Sequence, residues 1–147
     1  MFLIPVIALV LTAYYISILK KATNKNIFKL LVFTTTLIAL LLNLIWEIVQ
    51  MPLYKDALYD VKHIAFCALA SVADILMVLL LYFAVALIFG NPLWIKNLKW
   101  QRIAIVILIG GTGAVLAEIR HLSLRSWAYA NSMLIIPIVN VGISPVL

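Results

Sequence analysis

The chain has 147 residues, of which 67% are hydrophobic, and it carries 11 basic against 5 acidic residues. Soluble domains are closer to half apolar, so this composition excludes an ordinary soluble fold. It predicts an all-α, polytopic transmembrane bundle that forms a single domain over residues 1–147. The net charge of +6 does not indicate nucleic acid as a partner, because the basic residues flank apolar runs and form no basic stripe.

Apolar runs predict about five membrane-spanning helices, since roughly 20 residues cross about 30 Å of hydrocarbon. In chain order, predicted helices 1 to 5 cover residues 2–19, 28–50, 62–89, 101–121 and 132–147. Helix 1 meets Lys20 and Lys21 at its far end, the reverse of the charge order in a signal peptide, which indicates a retained span. Pro137, Gly142 and Pro145 interrupt the pattern of helix 5.

The loops between these helices predict an orientation. Loops 1 and 3 hold seven Lys and Arg residues, whereas loops 2 and 4 hold four. Because Lys and Arg are enriched on the cytoplasmic side, loops 1 and 3 are predicted to be cytoplasmic. Five spans would then place the N-terminus outside and the C-terminus inside, in a bacterial cytoplasmic membrane. Trp94 and Trp100 beside loop 3, and Trp46 and Trp127 near the opposite surface, are typical of interfacial aromatic belts.

Asp74 is the strongest functional candidate because it lies near the middle of a long apolar run. The register His63, Cys67, Ser71 and Asp74 places all four residues on one face of helix 3. A carboxylate at such a depth costs at least a few kcal/mol unless it is paired, protonated or hydrated. Asp74 is therefore expected to have a partner, a proton or a polar cavity.

The other spans add polar side chains toward the end of the bundle that holds loops 2 and 4. These are Asn43, Glu47 and Gln50 on helix 2, Glu118, His121 and Arg125 at the end of helix 4, and Asn140 and Ser144 on helix 5. Pairing with Asn140, Arg125 or His121 would give Asp74 a purely structural role. Together the residues predict a one-sided polar funnel with Asp74 at its deep end.

Three kinds of chemistry fit these residues. Glu47, Asp74 and Glu118 are candidate catalytic acid–base groups, because desolvated carboxyls exchange protons near neutrality. Arg120, Arg125 and His121 could instead bind an anion or a lipid headgroup, with the Trp46 and Trp127 rings as an apolar rim. No metal is predicted; the alternative is an ion held by His63 and Cys67, whose spacing is common by chance.

Two sequence blocks resemble the motifs W-E-x-x-Q-M-P-x-Y, at Trp46–Tyr54, and C-x-x-A-x-x-x-D, at Cys67–Asp74. A third block, Trp127-x-Tyr129 with Met133, Pro137, Gly142 and Pro145, is similar as well. These blocks resemble a family of small uncharacterised bacterial polytopic membrane proteins with no assigned activity. The resemblance implies shared positions at Trp46, Glu47, Gln50, Tyr54, Cys67, Asp74, Trp127 and Tyr129, and it implies no reaction.

The leading functional hypothesis is an intramembrane polar pocket, open to the extracytoplasmic side, that binds an amphiphilic lipid or isoprenoid-like molecule. Carboxyl acid–base chemistry in this pocket could also transform the bound molecule. Its ligand-binding residues would be Trp46, Gln50, Tyr54, Cys67, His121, Arg125, Trp127, Tyr129 and Asn140. One alternative is a proton- or ion-coupled transporter of small solutes, although no internal repeat is visible. Another is an accessory or assembly subunit of a larger membrane complex. The sequence identifies no cofactor. The partners considered are membrane lipid and either a second copy of the chain, as a homodimer, or a larger membrane complex.

Overall fold

The structure is a computed structural model that describes residues 3–146. Within this range the chain forms four α-helices: α1 (Leu3–Lys21), α2 (Lys25–Gln50), α3 (Val61–Ile88) and α4 (Trp100–Ser123). Short 3₁₀ turns cover Met51–Leu53, Trp94–Lys96 and Ser144–Val146, and two short strands form β1 (Ile135–Ile136) and β2 (Val141–Gly142). The helical class is confirmed. The predicted start of helix 1 at residue 2 and end of helix 5 at residue 147 lie outside the described residues.

Three helical segments of the described chain are long and apolar enough to cross a membrane: Lys25–Leu53, Val61–Ile88 and Trp100–Ser123. They correspond to predicted helices 2, 3 and 4. Predicted helix 1 is present as α1, and its crossing of the membrane remains a prediction. These three helices are candidate spans, and the count of about five is not confirmed.

Polar side chains fix the beginnings of two helices. The Asn24 side-chain oxygen accepts a hydrogen bond from the Ile27 amide at 3.1 Å, just before α2. The Asp60 carboxylate does the same for the His63 amide at 2.8 Å, just before α3. Such caps satisfy amides that have no partner inside the helix. After α3, Gly90 turns the chain with a φ of +58°, which glycine adopts without the clash of a Cβ atom.

The helix α3 is central, since α1, α2 and α4 all pack against it. Helices α2 and α3 form the most extensive contact, whereas α2 and α4 hardly touch each other. The apolar core lies toward the end of the bundle that holds loops 1 and 3. Its fully buried members are Phe28 at the start of α2 and Val85 near the end of α3. The predicted cytoplasmic end is therefore filled by apolar side chains.

Trp94 belongs to this core, and its assignment to an aromatic belt is wrong. Its side chain is only 5% exposed, and its indole N–H donates to the Tyr82 carbonyl at 3.1 Å. The reason is that the turn after α3 folds back against the helix, with the Tyr82 hydroxyl donating to the Pro92 carbonyl at 2.5 Å. Trp100, by contrast, is 75% exposed, as a belt residue would be.

The prediction of a helix over residues 132–147 is wrong for the residues that the structure describes, which end at residue 146. The backbone of residues 124–146, here called the C-terminal segment, forms turns and a small antiparallel ladder that pairs Ile135 with Gly142 and Ile136 with Val141. Pro137 lies in the turn, where a missing amide donor would interrupt a helix. Asn140 completes that turn with a φ of +53°. The described part of this segment therefore does not cross the bundle as a helix, and the orientation of the two termini stays a prediction.

The C-terminal segment instead docks at the end of the bundle where α2 and α4 finish. The Lys55 amide donates to the Ala128 carbonyl at 2.8 Å, and the Ala130 amide donates to the Leu53 carbonyl at 2.9 Å. These bonds flank an antiparallel bridge between Tyr54 and Tyr129. Backbone pairing thus joins the loop after α2 to the segment that follows α4.

Gly142 provides a test of this docked arrangement. A Cβ atom at this buried position would lie 2.7 Å from the Met133 Sδ atom. We expect Gly142→Ala to lower the free energy of unfolding by about 1 kcal/mol, because the buried Met133 side chain has to move away from the added methyl group. Thermal or denaturant unfolding of the purified protein in detergent measures this loss.

A matched control is Gly113→Ala on α4, where a Cβ atom would meet nothing within 4 Å. We expect this variant to be neutral or more stable by about 0.5–1 kcal/mol, since alanine favours a helix over glycine. In a Met133→Ala background, the penalty of Gly142→Ala should largely disappear. An equal penalty with and without Met133 would contradict the observed contact.

Candidate intramembrane site

Glu118 joins the end of α4 to the C-terminal segment. Its side chain is only 4% exposed. One carboxylate oxygen, Oε1, accepts hydrogen bonds from the Trp127 indole at 2.9 Å and from the Tyr129 hydroxyl at 2.5 Å. The Tyr129 hydroxyl in turn accepts the Gly142 amide at 2.8 Å. Burial and the adjacent Glu118 carboxylate raise the pKa of Tyr129 above its ordinary value, so this hydroxyl remains a donor at neutral pH.

A second chain of hydrogen bonds joins the end of α2 to the same segment. The buried Gln50 side chain donates to Glu47 Oε1 at 2.9 Å and accepts from the Ser144 hydroxyl at 3.0 Å. The Trp46 indole donates to the Ser144 carbonyl at 3.3 Å. The sequence placed Glu47 and Gln50 on one face of a helix, and the structure brings them together. Their common partner is a turn of the C-terminal segment.

Aromatic rings fill the space between these two chains of hydrogen bonds. The Tyr54 ring centre lies 6.0 Å from that of Trp127 and 5.9 Å from that of Tyr129. The His121 ring stacks on Trp127 at 4.2 Å. Burial, followed by the carboxylates of Glu118 and Glu47, raises the pKa of Tyr54. In the described part of the chain, the buried His121 Nδ1 has no hydrogen-bond partner.

Asp74 belongs to neither of these two chains of hydrogen bonds. On the same face of α3, the Cys67 thiol is 3.8 Å from the Glu47 carbonyl, and the fully buried Ser71 hydroxyl donates to the Cys67 carbonyl at 2.8 Å. Asp74 follows Cys67 by two helical turns, about 10 Å along the axis. Its side chain is half-buried, and it accepts no hydrogen bond from residues 3–146.

None of the three residues considered as structural partners of Asp74 bonds to it in the described part of the chain. Asn140 is exposed in the turn between β1 and β2, because the helix that would have carried it inward does not form. Arg125 is exposed just beyond α4, where a φ of +54° ends the helix. His121 stacks on Trp127 at the end of the bundle. The structure therefore gives no support to the alternative in which one of these residues pairs with Asp74.

The alternative metal pair, His63 and Cys67, does not converge on one point. His63 Nδ1 lies 2.8 Å from Asp60 Oδ1 at the start of α3, whereas the Cys67 thiol contacts α2. The hydrogen bonds from the His63 amide and ring lower the pKa of Asp60. Across the described residues, no group of three or more His, Cys, Asp or Glu side chains could hold a metal ion. The His63–Asp60 contact instead serves the helix cap.

Sequence reasoning did not anticipate that Glu118 would be a hydrogen-bond acceptor for Trp127 and Tyr129. The sequence instead predicts Trp127 as part of an apolar rim at the membrane interface and Tyr129 as a ligand-binding residue. The available signal was the density of Pro and Gly after residue 132, which is poorly compatible with a helix. A non-helical segment has to satisfy its own backbone groups, and a buried carboxylate nearby is a suitable anchor.

The chain matches no protein-family model, and neither its sequence nor its fold matches a curated protein or a solved structure. The resemblance to a motif-defined bacterial family therefore stays an expectation. Inference about function depends on the geometry of the site itself.

Proposed function

We propose that this protein binds an amphiphilic molecule, such as a lipid or an isoprenoid, with the polar group of that molecule on Asp74. The observation that carries the proposal is the contrast among the three candidate carboxyls. Glu47 and Glu118 accept hydrogen bonds from neighbouring side chains, whereas Asp74 has no such partner in residues 3–146. An unpaired acid inside a membrane span is costly, and such residues are typically retained for function.

The arrangement of helices supports a lateral route to Asp74. The helices α2 and α4 both pack on α3 but make few contacts with each other. The C-terminal segment bridges them, with its last turn, Ser144–Val146, packed on α4. Gly110 on α4 lies beside the Leu81 side chain on α3. This pair shows which residues of the two antiparallel helices lie opposite each other. Counting along the antiparallel helices places Asp74 near Ala114 and Ala117, whose small side chains leave space. A molecule entering from the bilayer could therefore bring its polar group to the carboxyl.

The C-terminal segment bridges α2 and α4 at the end where the pocket was expected to open. It is bonded to Gln50 on α2 and to Glu118 on α4. We therefore propose access between the helices, from the bilayer, in place of a mouth on the extracytoplasmic surface. Glu118 acts in this proposal by holding the segment, and Asp74, with Glu47 nearer the surface, is the carboxyl available for proton exchange with the bound molecule.

A second candidate function is that of an accessory or assembly subunit. The observation that favours it is the mutual hydrogen bonding of Glu47, Gln50 and Ser144, which needs no ligand. In that case the polar residues would specify helix packing and the docking of the C-terminal segment. The two functions differ in what they require of Asp74.

The test compares Asp74→Asn with wild type after gentle extraction from the membrane. We expect mass spectrometry of the co-purified lipid fraction to show one enriched amphiphile, reduced about tenfold in the variant, because a hydrogen bond to a charged group contributes about 1.5–3 kcal/mol. Asp56→Asn is the matched control: Asp56 is exposed, and its φ of +61° suits Asn equally well.

Three outcomes would separate the candidates. Loss of the amphiphile from Asp74→Asn alone supports the binding site. Identical lipid fractions in all three proteins, with unchanged association between Asp74→Asn and native membrane partners, would overturn it. Identical lipid fractions together with loss of a co-purifying protein complex would favour the accessory subunit.

A further inference from the structure

An open groove lies at the opposite end of the bundle, remote from Asp74. It has a volume of about 610 Å³ between the last turns of α1 and the end of α3, with Ala13, Ser17 and Lys21 on one wall and Ala86 and Gly90 on the other. This volume is within the usual range for a site that binds a small molecule. The small side chains of Ala13 and Ala86 create the space, and a Cβ atom at Gly90 would meet nothing within 4 Å.

The groove runs from the interface into the apolar part of the bundle. Its wall on α1 extends from Lys21, at the helix end, back to Ala13, which is about 12 Å along the axis. Most of the lining is apolar, including Ile18 and Leu87. This arrangement suits one acyl chain with an anionic headgroup. The apolar lining can hold the acyl chain, and Lys21 can extend its ammonium group toward the headgroup at the interface.

The charge distribution favours the same type of ligand. Loops 1 and 3 contain only positive charge, from Lys20, Lys21, Lys25, Lys29, Lys96, Lys99 and Arg102. The five acidic residues, Glu47, Asp56, Asp60, Asp74 and Glu118, are all elsewhere in the chain. In the described residues, the single ion pair joins His63 to Asp60. Lys21 thus has no acidic partner in this part of the chain, and an anionic headgroup would supply the missing counter-charge.

We propose that the groove between α1 and α3 is a binding site for one anionic phospholipid, whose phosphate lies at Lys21 and whose acyl chain lies along Ala13 and Ala86. The site requires both parts, since the channel selects an acyl chain and the lysine selects negative charge. It is independent of the proposed function at Asp74, which lies about 18 Å from Ala86 along α3.

The experiment is native mass spectrometry of the purified full chain with phosphatidylglycerol or phosphatidylcholine of identical acyl chains. We expect one phosphatidylglycerol to be retained in preference to phosphatidylcholine. Lys21→Gln should weaken this binding about fivefold, the effect of one lysine near an anionic surface. The matched control is Lys20→Gln, which removes the same charge from the adjacent exposed position that does not line the groove, and we expect less than a twofold effect.

The acyl part of the site is tested by filling the groove. Ala13→Leu should reduce retention of phosphatidylglycerol at least fivefold, whereas Thr12→Leu, on an exposed position outside the groove, should leave it unchanged. Inorganic phosphate at millimolar concentration should not displace the lipid. The helical content of each variant is checked by circular dichroism; if Ala13→Leu fails to fold, the two lysine variants decide.

Three results would overturn the proposal. Equal losses in Lys20→Gln and Lys21→Gln would show a diffuse charge attraction without a defined site. Unchanged binding by a folded Ala13→Leu would exclude the groove. Equal retention of the two phospholipids, or displacement by inorganic phosphate, would exclude recognition of an anionic lipid.

Discussion

Replacing Glu118 by alanine is expected to release the C-terminal segment from the bundle. The substitution removes the acceptor of the Trp127 indole and the Tyr129 hydroxyl and leaves both partly buried donors without this partner. Hydrogen bonds to a charged group contribute about 1.5–3 kcal/mol each, so the docking of the segment should lose about 3–5 kcal/mol. Because the Tyr129 hydroxyl also orients the Gly142 amide, the strand pair should be weakened at the same time.

Chymotrypsin cleavage after Tyr129 measures this release. Where cleavage follows the opened population, a loss of about 3 kcal/mol corresponds to a rate increase of about 100-fold. Cleavage after Tyr59, which is 63% exposed, provides an internal reference in the same sample. Glu118→Gln keeps one acceptor oxygen and should show a much smaller increase. Wild-type resistance in Glu118→Ala would contradict the anchoring role of this carboxylate.

The helices could be predicted from the sequence because long apolar runs and their breakers mark them directly. The predicted range 62–89 differs by one residue at each end from Val61–Ile88, and the range 101–121 lies within Trp100–Ser123. Asp60 and Pro52 delimit the neighbouring loop, and both act locally, through a cap and a missing amide donor. Structure that depends on interactions between residues close in the sequence could therefore be predicted.

The C-terminal segment could not be predicted in the same way. Its apolar residues, such as the buried Met133 and Val141, match the composition of a membrane span. What distinguishes it is long-range: Leu53 pairs with Ala130 through the backbone, and Gln50 bonds Ser144. Composition alone does not reveal pairing between positions so far apart.

In the candidate site, too, short-range contacts could be predicted from the sequence and long-range contacts could not. Glu47 and Gln50 share a helix face, and this short spacing is sufficient to predict their contact. The Glu118 contacts depend on how the C-terminal segment folds, so they were missed. The absence of a partner for Asp74 in the described part of the chain has the same cause. Asn140 was one of the residues considered as its partner, on a predicted helix that does not form in the described residues. Removing that helix makes Asp74 a more unusual residue than the sequence alone suggested.

Asp74→Leu is therefore expected to stabilise the protein while it abolishes binding of the amphiphile. A carboxylate near the centre of a span costs about 2.5–3.5 kcal/mol relative to an apolar residue when nothing pairs with it. We expect the free energy of unfolding to rise by about 2–3 kcal/mol, measured by denaturant titration in mixed micelles. Such a gain in stability with a loss of function is typical of residues retained for activity.

The matched comparison is Ser71→Ala, one turn away on the same face of α3. The Ser71 hydroxyl donates within its own helix, to the Cys67 carbonyl, so its removal should change stability by no more than about 1 kcal/mol and leave the amphiphile bound. A loss of stability in Asp74→Leu would mean that the carboxyl holds helices together, which is the outcome expected of an assembly subunit. A gain would mean that Asp74 is retained although it lowers the free energy of unfolding. The molecule whose binding offsets this loss of stability would then be the ligand to identify.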